Sequence, residues 1–111
     1  MYYLKKLMEV SSSHSLNLNY ESPCSNKHGH NFKITVYCKS ETLNKDGMII
    51  DFTEIKKIVN NLMDHKDLND VVTELYDNDI TDELNPTAEN LSKILHDTIP
   101  YCYKVTVQET D

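Results

Sequence analysis

With 111 residues the chain has room for one hydrophobic core and not for two ordinary domains, so residues 1–111 are expected to form a single domain. A formal charge of -7, from 18 acidic against 11 basic side chains, argues against nucleic acid as a partner, because phosphate binding is driven by clustered Lys and Arg. No apolar run approaches the roughly 20 residues that span a bilayer, and Met1–Lys6 lacks the apolar core of a signal peptide, which predicts a soluble, cytoplasmic protein with no membrane partner. Cys24, Cys38 and Cys102 are odd in number and widely spaced, which fits a reducing compartment rather than a disulfide framework.

Residues 2–14 alternate, with Met8, Val10, Ser12 and His14 on one side and Lys5, Leu7, Glu9 and Ser11 on the other, which predicts a strand that ends on His14. Residues 15–27 are polar, with Asn17, Asn19, Ser22, Pro23 and Asn26, and read as a long ordered loop. From His30 onward Phe32, Ile34, Val36 and Cys38 share one face of a second strand, and Cys38 reads as a small core residue. Residues 42–47 form a turn, with Met48-Ile49-Ile50 as a short extended piece behind it.

Asp51 with Glu54 three residues later suits a helix start, and Phe52, Ile55, Ile58, Val59, Leu62 and Met63 recur at helical spacing over Phe52–Met63. Residues 64–85 have no sustained period and read as loop with a short extended or helical interruption. Pro86 and Thr87 open a second helix over Thr87–Thr98, with Leu91, Ile94, Leu95 and Ile99 on one face and Pro100 as its stop. The last segment alternates again, placing Tyr103, Val105, Val107 and Glu109 on one side. Strand, strand, helix, helix, strand is an α+β order, with two helices on one face of a mostly antiparallel sheet whose open edges invite another chain.

Several residues stand out chemically. The stretch Cys24-Ser25-Asn26-Lys27-His28-Gly29-His30 joins a thiol to two imidazoles spaced two apart, which on a strand point the same way about 6.7 Å from one another. The pair His28 and His30 is either two surface histidines at a strand start or part of a metal site: if the first two strands pair across the long loop, His14, His28 and His30 meet at one end of the sheet, a nitrogen donor set that suits zinc (Zn2+) rather than magnesium or calcium. Cys24 is then either a thiol made acidic by a nearby cation or an idle loop cysteine. Asp64-His65 is either an oriented imidazole that moves protons or a histidine favourable to a helix C-terminus. Glu109, on the apolar parity of a strand, is either a fraying end or a carboxylate placed to receive paired N–H donors.

Taken in order, His14, Cys24-x-x-x-His28-Gly29-His30, Gly47-Met48-Ile49-Ile50-Asp51-Phe52, Asp64-His65 with Leu68-Asn69, Pro86-Thr87-Ala88-Glu89-Asn90 and Glu109-Thr110 resemble the 6-pyruvoyl-tetrahydropterin synthase family over nearly the whole chain. The three-residue gap between the cysteine and H-G-H is most similar to the bacterial 6-carboxy-5,6,7,8-tetrahydropterin synthase branch of queuosine (7-deazaguanine) biosynthesis. The resemblance implies the tunnelling fold, a ββααβ(β) sheet that trimerises into a β-barrel, with two trimers stacked as a homohexamer. It implies conversion of the small-molecule substrate 7,8-dihydroneopterin triphosphate to 6-carboxytetrahydropterin, with release of acetaldehyde and triphosphate. By position it assigns zinc to His14, His28 and His30, the catalytic thiol to Cys24, proton relay to Asp64 and His65, and pterin binding to Glu109 and Thr87. Relatives usually run several residues beyond the match to Thr110, whereas this sequence ends at Asp111, and a less rigidly held Glu109 is the expectation. The competing readings are a pyruvoyl-forming enzyme with the same residues and a zinc- and pterin-binding trimer without turnover, which has no use for Cys24 or Asp64-His65.

Overall fold

A computed structural model of the chain describes residues 1–14, 28–71 and 86–110, and at positions 14, 28 and 30 the backbone alone. The described residues form strands β1 (Tyr2–His14), β2 (His28–Ser40), β3 (Lys66–Asp67) and β4 (Cys102–Glu109) and helices α1 (Phe52–Met63) and α2 (Ala88–Thr98). The strands make one sheet in the order β3-β1-β2-β4. β1 and β2 pair antiparallel along their full lengths, from Tyr2 opposite Ser40 to His14 opposite His28, and β4 pairs antiparallel to β2. The sheet is mixed rather than purely antiparallel, because β3 lies parallel to β1, with Ser12 opposite Lys66 and Ser13 opposite Asp67.

One face of the sheet carries the core. Val10, Phe32, Ile34, Val36 and Cys38 are buried there against Ile55, Val59 and Met63 of α1 and Leu91 and Leu95 of α2. Each such side chain contributes about 1.5–3 kcal/mol by leaving water. The opposite face is open: Tyr3 and Leu7 are each 65 % exposed, and Tyr37 packs beside Tyr103 with ring centroids 6.2 Å apart.

Helix α1 starts where Asp51 accepts the N–H of Thr53 at 2.9 Å and its hydroxyl at 2.8 Å. These two bonds hold the Asp51 carboxyl below its usual range, the backbone one contributing most. Helix α2 begins one residue later than the spacing predicts, because Thr87 serves as its N-cap and accepts the Asn90 N–H at 3.2 Å. Residues 49–50 are bends and residue 48 has no regular structure, so this stretch is not an extended strand piece. Asn44 explains the difference, since its side-chain oxygen accepts the N–H groups of Asp46 (2.9 Å) and Met48 (3.1 Å) while its own N–H donates to Met48 O at 2.8 Å. Gly47 supplies the positive φ of 81° that this tight loop requires.

The alternation in β4 also needs a correction. Tyr37 pairs with Lys104 but Cys38 pairs with Cys102, so one extra β4 residue is accommodated at a bulge. The bulge leaves Tyr103 against Tyr3 and Tyr37 on the open face, not beside Val105 on the core side. Residues 64–85, read as an interrupted loop, contain β3 and helical residues 68–71, and residues 72–85 lie outside the described part.

Candidate active site

The end of the sheet where β1 finishes and β2 begins gathers most of the residues singled out from the sequence. His14 is the cross-strand partner of His28, and His30 is opposite Ser12. Directly opposed residues share a face of an antiparallel pair, as do residues two apart, so positions 14, 28 and 30 fall on one side of the ladder, the side that buries Val10 and Phe32. Three nitrogen donors at such positions are the donor chemistry of a zinc site with an open coordination place. Their imidazoles, like Cys24 and the rest of the predicted loop 15–27, lie outside the described residues.

Asp64 and His65 are brought to the same end by the way α1 stops. Ser12 Oγ donates to Met63 O, satisfying a carbonyl that the helix end leaves without an intrahelical partner. Asp64 Oδ1 accepts the N–H of Ser11 at 3.0 Å, and the His65 N–H donates to Ser11 O at 2.6 Å. His65 has a φ of 55°, a left-handed conformation that costs a non-glycine residue about 1–3 kcal/mol and persists where the surroundings enforce it. Here β1 enforces it through Ser11. The result presents an imidazole with 82 % of its side chain exposed, Nε2 3.7 Å from Asp64 Oδ2, a pair that becomes ionic when the ring is protonated.

Glu109 joins from β4. It pairs with Phe32, two residues from His30, on the core parity as the alternation predicts, and its side chain is exposed. The residue that follows it is bonded back to β2. Thr110 donates both its N–H (2.9 Å) and its hydroxyl (2.7 Å) to Asn31 O, immediately beside His30. Thr87 and Glu109 both lie at the ends of α2 and β4 remote from the turn at residues 99–101 that joins them.

Ser11, Ser12 and Asn31 are the positioning residues that sequence reasoning passed over. Ser11 Oγ donates to Asn31 Oδ1 at 2.7 Å, so Asp64-His65, Ser11, Asn31 and Thr110 form one continuous set of hydrogen bonds across four elements. A signal existed for Ser12, a hydroxyl on the apolar parity of a strand, which is 7 % exposed.

An α+β layer thus brings a histidine-bearing strand end, the Asp64-His65 pair and the Glu109 carboxylate to one end of a single sheet. Residues 3–111 match the family of 6-pyruvoyl tetrahydropterin synthase, and the chain belongs to that family. It is 30 % identical over 117 residues to the 6-carboxy-5,6,7,8-tetrahydropterin synthase of Bacillus subtilis, an alignment covering 96 % of this chain and 78 % of that protein. A stretch of 58 residues is 50 % identical to a Pyrococcus horikoshii protein that carries the same name provisionally, covering 52 % of this chain and 36 % of that relative. The fold is similar to the solved 6-pyruvoyl tetrahydropterin synthase of Caenorhabditis elegans, with a TM-score of 0.71 and 25 % identity over 98 % of this chain and 89 % of that one. Among the described residues no helix is long and apolar enough to cross a membrane.

Proposed function

We propose that this single-domain chain is a cytoplasmic carbon–carbon lyase that converts 7,8-dihydroneopterin triphosphate to 6-carboxy-5,6,7,8-tetrahydropterin, releasing acetaldehyde and triphosphate, in queuosine biosynthesis. The observation that carries this reading is the convergence, at one end of the sheet, of positions 14, 28 and 30 with Asp64-His65 and Glu109. Family membership and the similarity to the Bacillus subtilis enzyme support it.

In this reading His14, His28 and His30 hold zinc, which when bound supplies Lewis acidity toward the side-chain oxygens of the substrate. Glu109 accepts the paired N–H donors of the pterin ring edge, and Thr87 lines the same pocket. Cys24 takes a proton as thiolate and returns it as thiol. His65, oriented by Asp64, exchanges protons with the substrate side chain, and each such group is worth roughly 10²–10⁴ in rate. Three subunits join through the open edges of β1 and β4 into a barrel, and two such trimers stack. The similarity to the Caenorhabditis elegans fold favours one second reading, a pyruvoyl-forming reaction on the same residues.

Incubation with 7,8-dihydroneopterin triphosphate followed by mass analysis separates the two, since 6-carboxytetrahydropterin with acetaldehyde marks one reaction and pyruvoyl-pterin the other. Cys24→Ala is expected to abolish product while the zinc content, about one per subunit, is kept. His28→Ala is expected to lose metal and activity together. Unchanged turnover in Cys24→Ala, or full activity in metal-free protein, overturns the assignment.

A further inference from the structure

Two thiols have no part in that chemistry. Cys38 and Cys102 sit at the end of the sheet away from the histidine positions, Cys38 opposite Leu4 near the start of β1 and Cys102 at the first residue of β4. The ladder makes them direct partners across β2 and β4. The Lys39 N–H donates to Tyr101 O at 3.1 Å, the bond that flanks a non-hydrogen-bonded antiparallel pair, in which Cα atoms are about 4.5 Å apart and side chains approach most closely. That separation lies within the range of about 4.4–6.8 Å that disulfides span. The bulge that displaces Tyr103 turns Cys102 to the core side, where it packs against the cluster that contains Cys38, so that both residues share one face. Cys38 Sγ also meets Pro100 O at 3.7 Å and Cys102 Sγ meets Lys104 O at 3.5 Å. Cys38 is buried, whereas Cys102 is half-buried and open to a small reagent.

We propose that Cys38 and Cys102 form a reversible cross-strand disulfide in the folded chain by exchange with a small soluble disulfide of the glutathione type. The Cys102 thiolate attacks one sulfur of that reagent, its S–S bond breaks, and the first small thiolate leaves and takes up the proton that Cys102 gave. Cys38 then loses its proton, attacks Cys102 Sγ and expels the second small thiol. Two protein S–H bonds and one reagent S–S bond become one protein S–S bond and two reagent S–H bonds, with two electrons passing to the reagent. Burial pushes Cys38 up to about 11 and raises Cys102 as well, so the thiolate is scarce near neutrality and the exchange quickens roughly tenfold per pH unit while the attacking thiol stays mostly protonated. The bond staples β2 to β4 and leaves the histidine end of the sheet untouched.

The test incubates the full chain with excess oxidised glutathione at pH 7.5 and about pH 8.5, blocks remaining thiols and maps peptides without reduction. The expected product is a Cys38–Cys102-linked peptide pair, lighter by two hydrogens than the free pair, formed faster at the higher pH and reopened by excess dithiothreitol. Cys102→Ser is expected to leave Cys38 reduced over the same time, and Cys38→Ala to stop at a mixed disulfide on Cys102 that nothing resolves. In the unsubstituted chain, a mixed disulfide on Cys102 that persists, a bond from Cys24 to either residue, or two thiols that stay free overturns the proposal.

Discussion

Ser11 connects three elements through three different atoms: its N–H to Asp64 Oδ1, its carbonyl to the His65 N–H, and its hydroxyl to Asn31 Oδ1. Asp64 therefore does two jobs, fixing the end of α1 on β1 and supplying charge beside the His65 ring. The two separate by substitution. Asn at position 64 keeps an oxygen for the Ser11 N–H but removes the charge, so Asp64→Asn is expected to fold with near-normal stability and lose roughly 10²-fold or more in turnover. Asp64→Ala also removes the bond to Ser11 and is expected to cost a further 1–3 kcal/mol or so in urea unfolding. Equal turnover in Asp64→Asn and the parent would leave Asp64 a purely structural cap.

At the scale of elements, the seam between β2 and β4 is where the alternation of the sequence misleads, and it is also where the chain is sensitive to alkali. Cys38 ionises at about 11 in the folded chain against an ordinary value of 9.0, raised first by burial and then by Cys102 beside it. A thiol that keeps its proton longer when folded leaves stability unchanged below about pH 9, lowers it as the unfolded chain ionises between 9 and 11, and adds nothing further above that. The stability advantage of the parent over Cys38→Ala, measured by urea unfolding under reducing conditions, is expected to shrink by on the order of 1–2 kcal/mol across that window. A constant difference would mean that Cys38 does not meet a desolvating surround. The long periodic elements were legible without coordinates: Tyr2–His14 and Phe52–Met63 keep the bounds that alternation and helical spacing predict, because each buries a continuous face. β3 was not, since a two-residue strand has no period and exists only because Ser12 and Ser13 offer it a partner. The bulge at Tyr103 leaves no local signature either, and Ser11 and Asn31 look like a solvated face until Asp64 and Thr110 are seen to bond to them. Of the candidate site, the shared parity of positions 14, 28 and 30 was readable, whereas the hold on Asp64-His65 was not, because it depends on contacts between residues 53 apart.

Among the described residues the sheet has one covered face and two edges without a further strand. β3 lies beside only Ser12 and Ser13 of β1, and β4 ends the sheet on the other side, so among the described residues most of β1 and the outer side of β4 have no neighbouring strand. Such edges attract further strands. The open face between them holds Tyr3, Tyr37 and Tyr103, with Lys104 4.9 Å and Lys5 5.7 Å from the Tyr37 ring centre and Lys39 5.2 Å from that of Tyr103. In a chain of net charge -7 this is a locally cationic surface, and joining copies edge to edge would turn several such surfaces toward one another. Backbone pairing at the edges is little affected by salt, whereas repulsion between the lysines is screened within about 10 Å at 0.1 M ionic strength. Light scattering is therefore expected to give a mass that is a multiple of three chains at micromolar concentration, unchanged or strengthened as salt is raised. A monomer under those conditions, or an oligomer that falls apart as salt increases, would mean that charge rather than strand pairing holds the copies together and that the barrel does not form.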